Sequence, residues 1–132
     1  MAQSDRSMRS ALGRVRHHGA AREGTGHFIA MRFTSIALAI LSLWFVIAAA
    51  LSLREGTYLS VIDFLAQPVN AVGVILLTVI SLYHMALGMQ DVILDYIQKP
   101  SSKILLMLLN VLVPLALGAG AVFAVLHLNF GV

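Results

Sequence analysis

His84, Asp91, Asp95 and Tyr96 are the residues whose types and spacing offer chemistry, and all lie in the stretch S-L-Y-H-M-A-L-G-M-Q-D-V-I-L-D-Y-I from Ser81 to Ile97. The stretch continues an apolar run that begins near Val69. Ionisable side chains inside such a run are costly in lipid and persist where a partner or a function holds them. For His84 the residues leave three readings open: an interhelical hydrogen bond, ligation of a metal such as haem iron by neutral imidazole, or a proton relay. Asp91 and Asp95 sit near a helix end, where carboxylates reach interfacial water. Asp95 at a helix C-terminus opposes the macrodipole and suggests a cationic partner, such as an arginine on another subunit. Tyr96 reads as an interfacial aromatic anchor or as a phenol that donates to a quinone carbonyl.

A helix places these groups. At 100° per residue, Asp91 falls about 20° to one side of His84 and Asp95 about 20° to the other, with Asp95 roughly 16 Å further along the axis. Gly88 follows one turn after His84 on the same side, and its missing side chain admits a flat group or another helix beside the imidazole. Tyr96 points roughly 120° away.

The chain has 132 residues, 59% of them hydrophobic and only 11% charged, far below the quarter common in soluble domains. Three apolar segments reach the roughly 20 residues that a bilayer crossing takes. They run over residues 33–53, 69–96 and 104–128, and predict an all-α membrane protein whose three transmembrane helices form part of a helical bundle with other subunits. Pro114 and the run Gly118-Ala119-Gly120 lie in the third span, where neighbouring helices can tolerate them. The connection between the first two spans, 56–67, predicts a short interfacial helix around Asp63. Trp44, in span one, reads as packing.

There is no cysteine, which excludes disulfides and thiolate chemistry and assigns any iron–sulfur cluster to another chain. Six of the nine Lys and Arg residues (Arg6, Arg9, Arg14, Arg16, Arg22 and Arg32) precede the first span. Residues 1–32 therefore form a basic N-terminal segment, cytoplasmic by the positive-inside rule, and 33–132 form the membrane anchor. Lys99 and Lys103 put the connection after span two on the same side, and the C-terminus on the other. The basic segment reads as a polar lead-in rather than a nucleic-acid arm or a cleaved signal, and the lack of a clear presequence favours a bacterial inner membrane over a mitochondrial one. His17-His18 lacks metal-ligand spacing, and His127 reads as interfacial. No nucleotide loop, catalytic triad or zinc signature is present. So small a membrane chain is expected to assemble with other subunits.

The segment H-M-A-L-G-M-Q-D-V-I-L-D-Y, His84 to Tyr96, resembles the D-type hydrophobic membrane anchors of succinate dehydrogenase, respiratory complex II. That family has a haem-ligating histidine, a glycine four residues later, and an Asp-Tyr pair eleven and twelve residues on; here these are His84, Gly88, Asp95 and Tyr96. A second patch, G-H-F-I-A-M-R-F-T-S from Gly26 to Ser35, resembles the family's approach to its first span. The resemblance covers most of the chain from Gly26 onward.

It implies that His84 is an axial ligand of haem b iron, with the second ligand from the companion C-type anchor. Arg32 would lie near the haem propionates, and Tyr96 would hydrogen-bond ubiquinone in a site that Asp95 helps to organise. The implied partners are that companion anchor, an iron–sulfur subunit, a flavoprotein subunit and membrane lipid. The chain would anchor the enzyme and serve the tricarboxylic acid cycle and respiratory electron transfer without a catalytic centre of its own. Two alternatives stand beside this reading: the anchor of a quinol:fumarate reductase, and a cofactor-free structural subunit of another membrane complex. Asp91 and the Arg-rich lead-in have no counterpart in the pattern.

Overall fold

The computed structural model describes residues 21–131, with side chains from Gly24 onward. The described chain is four α-helices: α1 Ala21–Ser52, α2 Tyr58–Ala66, α3 Pro68–Tyr96 and α4 Pro100–Phe130. Three of them, over Gly24–Ser52, Pro68–Tyr96 and Pro100–Phe130, are long and apolar enough to cross a membrane. The protein is thus an all-α membrane protein. It divides into two units, residues 1–30 and 31–132, and the packing described below is internal to the second.

Helix limits extend beyond the apolar runs for local reasons. Pro68 and Pro100 each start a helix. At that position the missing N–H is one the helix would not have used, and the fixed φ suits the first turn. Span three therefore begins four residues before its apolar run. The connection between spans one and two forms a helix, as its pattern predicts. Gly56 turns the chain at φ 61, a left-handed conformation in which glycine is unstrained. Thr57 then caps α2, its side-chain oxygen accepting from the Ser60 N–H at 3.2 Å. The helix is seated by Phe64, which is 3% exposed and meets Phe45 of α1 edge-on with centroids 6.3 Å apart.

Helix α3 uses opposite faces for its two neighbours. Ile93, on the side away from His84, is buried, and Ala86 on that side accepts a hydrogen bond from Asn110 Nδ2 of α4 at 2.8 Å. Across the same boundary Leu82 Cδ1 would lie 3.4 Å from a methyl group at Gly118. Asn129, near the end of α4, donates to the Leu65 carbonyl of α2 at 2.9 Å. Pro114 is buried inside α4, which runs through it unbroken. The outward surfaces are apolar, as at Phe33 (75% exposed) and Leu115 (66%), which is what lipid contact requires.

Candidate functional site

The side of α3 that carries His84 faces α1. Three contacts fix this pairing. A methyl group at Gly73 would overlap the Trp44 ring, so the indole lies directly on the bare backbone of α3. Thr34 Oγ1 is 2.7 Å from His84 Nδ1. A methyl group at Gly88 would stand 4.0 Å from Met31 Cε. The partners move toward the start of α1 as they advance along α3, so the two helices run antiparallel in one register. Gly73, His84 and Gly88 share this side because eleven residues return a helix to within about 20° of its starting direction. Trp44 is packing, as its sequence context suggested.

His84 is half-buried. The Thr34 hydroxyl also lies 3.1 Å from the Met31 carbonyl oxygen, to which it donates. Ser35 Oγ donates to that carbonyl at 2.7 Å. A hydroxyl carries one hydrogen and two lone pairs. Both Thr34 contacts are satisfied together only when Nδ1 of His84 carries the proton and donates it to the threonine oxygen. In that tautomer Nε2 presents its lone pair and is the nitrogen able to ligate a metal. The interhelical hydrogen bond and the ligand role thus fall on different ring nitrogens and are compatible.

The other sequence-nominated residues stand apart from this contact. Arg32 is exposed on α1, two positions before Thr34 and roughly 200° around the helix from it. Asp91 and Asp95 are exposed on α3, and Tyr96, its last residue, is 78% exposed. At this helix end Lys103 Nζ donates to the Leu94 carbonyl at 3.0 Å. The chain thus supplies from α4 a cation for the negative end of α3, where the sequence had suggested another subunit's arginine. His127 stacks on Phe123 within α4, ring centroids 5.9 Å apart. His17-His18 lies outside the described residues.

Comparison with known proteins bears on what this site serves. Residues 5–119 match the family of succinate dehydrogenase/fumarate reductase transmembrane subunits. The chain belongs to this family. Among its relatives is the succinate dehydrogenase hydrophobic membrane anchor subunit of Rickettsia conorii, 34% identical over 84 residues, which are 64% of this chain and 67% of the relative. The subunit of the same name from Rickettsia bellii is 34% identical over 89 residues, 67% of this chain and 70% of the relative. That of Rickettsia felis is 36% identical over 78 residues, 59% and 64% of the two chains. No solved structure matches the chain.

For a family member the question is whether the residues present suit a haem. Among the described residues, no three His, Asp or Glu side chains converge as they would around an ion held by this chain alone. A haem iron needs only one imidazole from each of two sources. His84 offers one imidazole, and beside it a methyl group at Gly88 would meet only Met31 Cε, at 4.0 Å. The two grooves between α3 and α4, of about 770 and 330 Å³, are not lined by His84.

Sequence reasoning found His84 and missed the role of Thr34. The available signal was the pair Thr34-Ser35 inside an apolar helix, since hydroxyls in lipid must find acceptors and donors.

Proposed function

We propose that the chain is the succinate dehydrogenase membrane anchor that supplies one axial ligand, His84, to a haem b shared with a companion anchor chain. On this reading Asp95 and Tyr96 form one edge of a ubiquinone-reducing site. The observation that carries the haem assignment is the 2.7 Å contact between Thr34 Oγ1 and His84 Nδ1, which leaves Nε2 as the ligating nitrogen. Family membership and the relatives' names support the enzyme assignment. Haem, when bound, supplies one-electron storage whose potential follows from its ligands and surroundings.

This chain's residues do the rest. Thr34 holds the His84 ring through Nδ1, while Arg32, roughly 200° around α1 from Thr34, could meet the haem propionates only beyond that side of the helix. At the end of α3, Tyr96 presents a phenol that can donate to a quinone carbonyl, and Asp95 presents a carboxylate that can pass protons from interfacial water. Quinone reduction takes up two protons, so a polar edge in contact with water is what the site needs. Succinate oxidation belongs to the flavoprotein subunit, and electron delivery to the iron–sulfur subunit. The chain lacks cysteine and holds no such cluster. The arrangement is set in a bacterial inner membrane with the N-terminus cytoplasmic, a side favoured by the basic residues ahead of α1.

The test is a reduced-minus-oxidised spectrum of the purified complex. A b-type band in the wild type that is lost or shifted in His84→Leu is the expected result. An intact complex without the band, or an unchanged band in the variant, overturns the haem assignment and favours a structural role.

A further inference from the structure

We infer that Thr34 is the positioning residue for His84: it fixes the imidazole tautomer and sets the electron donation of Nε2 to the haem. The inference rests on the haem reading above and deepens it, giving Thr34 an effect on the electron donation of the ligand.

The argument begins with the hydrogen count. Thr34 Oγ1 lies 3.1 Å from the Met31 carbonyl and 2.7 Å from His84 Nδ1, and its one hydrogen can serve only one of them. The carbonyl accepts and cannot donate, so where the Thr34-to-Met31 bond is kept the hydroxyl hydrogen lies on it and the imidazole must donate. The imidazole N–H then completes the chain His84 Nδ1–H to Thr34 Oγ1 to Met31 O. This chain crosses from α3 to a backbone atom of α1, a rigid point that rotates only with its helix. A ring held at Nδ1 is restricted about χ2, so the direction of the Nε2 lone pair is set before any ligand arrives.

Donation from Nδ1 has an electronic consequence as well. A donated N–H gives the ring partial imidazolate character and makes Nε2 a stronger donor, as outer partners of metal-bound histidines do. Stronger donation favours the ferric over the ferrous state. Backbone carbonyls and carboxylates fill this role in many metal sites. Here a hydroxyl fills it, polarised by a carbonyl behind it. The device is specific to this helix pair: Gly73 permits the close approach of α1 and α3 that brings the two groups together.

The test uses the whole purified complex with Thr34→Val and Thr34→Ser, read by redox titration of the haem and by its low-spin electron paramagnetic resonance spectrum. Valine keeps the volume and removes the acceptor; serine keeps the acceptor. Outer-partner loss is typically worth tenfold or more. The valine variant is expected to shift the ferric-to-ferrous ratio toward ferrous and so raise the potential, each tenfold change in the ratio corresponding to about 59 mV for a one-electron couple. Its resonance spectrum should also change, and the serine variant should lie near the wild type. A valine variant that loses stability but keeps the wild-type potential and spectrum overturns the inference, because Thr34 then serves packing alone.

If the valine variant fails to assemble, electron–nuclear double resonance on the wild-type complex with ¹⁵N-histidine decides. After exchange into D2O, a deuteron quadrupole coupling at the remote nitrogen of His84 lowered by a short N–D···O bond supports the inference, and the coupling of a weakly bonded N–D overturns it. Failure of the haem reading looks different: wild-type complex without haem, or haem unchanged in His84→Leu.

Discussion

Tyr96 ends α3 with most of its ring exposed, whereas His84 is held between helices. On the proposed reading, the contrast separates a group that would meet a diffusing substrate from one that would hold a resident cofactor. If Tyr96 donates to a quinone carbonyl, Tyr96→Phe removes one hydrogen bond and little else. One such bond is worth about 1 kcal/mol, so ubiquinone reduction should slow by roughly fivefold to tenfold. Succinate oxidation with a soluble artificial acceptor should stay at the wild-type rate. Equal losses in the two assays would remove Tyr96 from the quinone site. At this scale the sequence was legible where a costly residue advertised itself, as His84 did in an apolar run. It was silent about Thr34, whose partner lies 50 residues away and whose type is unremarkable in a membrane helix. The Lys103 contact was hidden for a related reason, since a backbone carbonyl leaves no mark in the residue types.

At the scale of elements, the close approach of α1 and α3 depends on a residue with no side chain. Trp44 lies against Gly73, and a single methyl group there has no room. Gly73→Ala should push the helices apart and cost about 1–3 kcal/mol, the usual penalty of overpacking. The thermal midpoint of the purified complex should fall, and haem should be lost more readily, because Thr34 and His84 share that interface. Replacing Trp44 by Leu in the same chain should recover part of the loss. A Gly73→Ala complex as stable as the wild type would mean that the indole moves aside freely. All three spans and the short α2 were readable from hydropathy, since lipid demands length and apolarity of any crossing helix. Their ends were less so: Pro100 reads as a stop for one span and serves as the start of the next. Which face of α3 meets α1 and which meets α4 was not readable, because the stripe of His84, Asp91 and Asp95 marks one face without naming the helix it meets.

On the scale of the whole molecule, the positive-inside rule turns the distribution of basic residues into an expected orientation that can be checked without any cofactor. Arg6, Arg9, Arg14, Arg16, Arg22 and Arg32 precede the first span, and Lys99 and Lys103 flank the connection between α3 and α4. Arg54 alone stands in the connection after α1. Each basic residue near an anionic leaflet is worth about 1 kcal/mol, so the imbalance strongly favours one orientation. The chain contains no cysteine, which makes single-cysteine labelling clean within this protein. Glu55 and Ser101 are both exposed and lie at opposite ends of the three spans. In spheroplasts, a membrane-impermeant maleimide should label Glu55→Cys at once and Ser101→Cys only after the membrane is opened. Labelling in the reverse order would place the N-terminus outside and move Asp95 and Tyr96 to the outer face, away from a cytoplasmic iron–sulfur subunit. Immediate labelling of both would mean that α3 does not cross, and would leave His84 without the membrane interior that its proposed role needs.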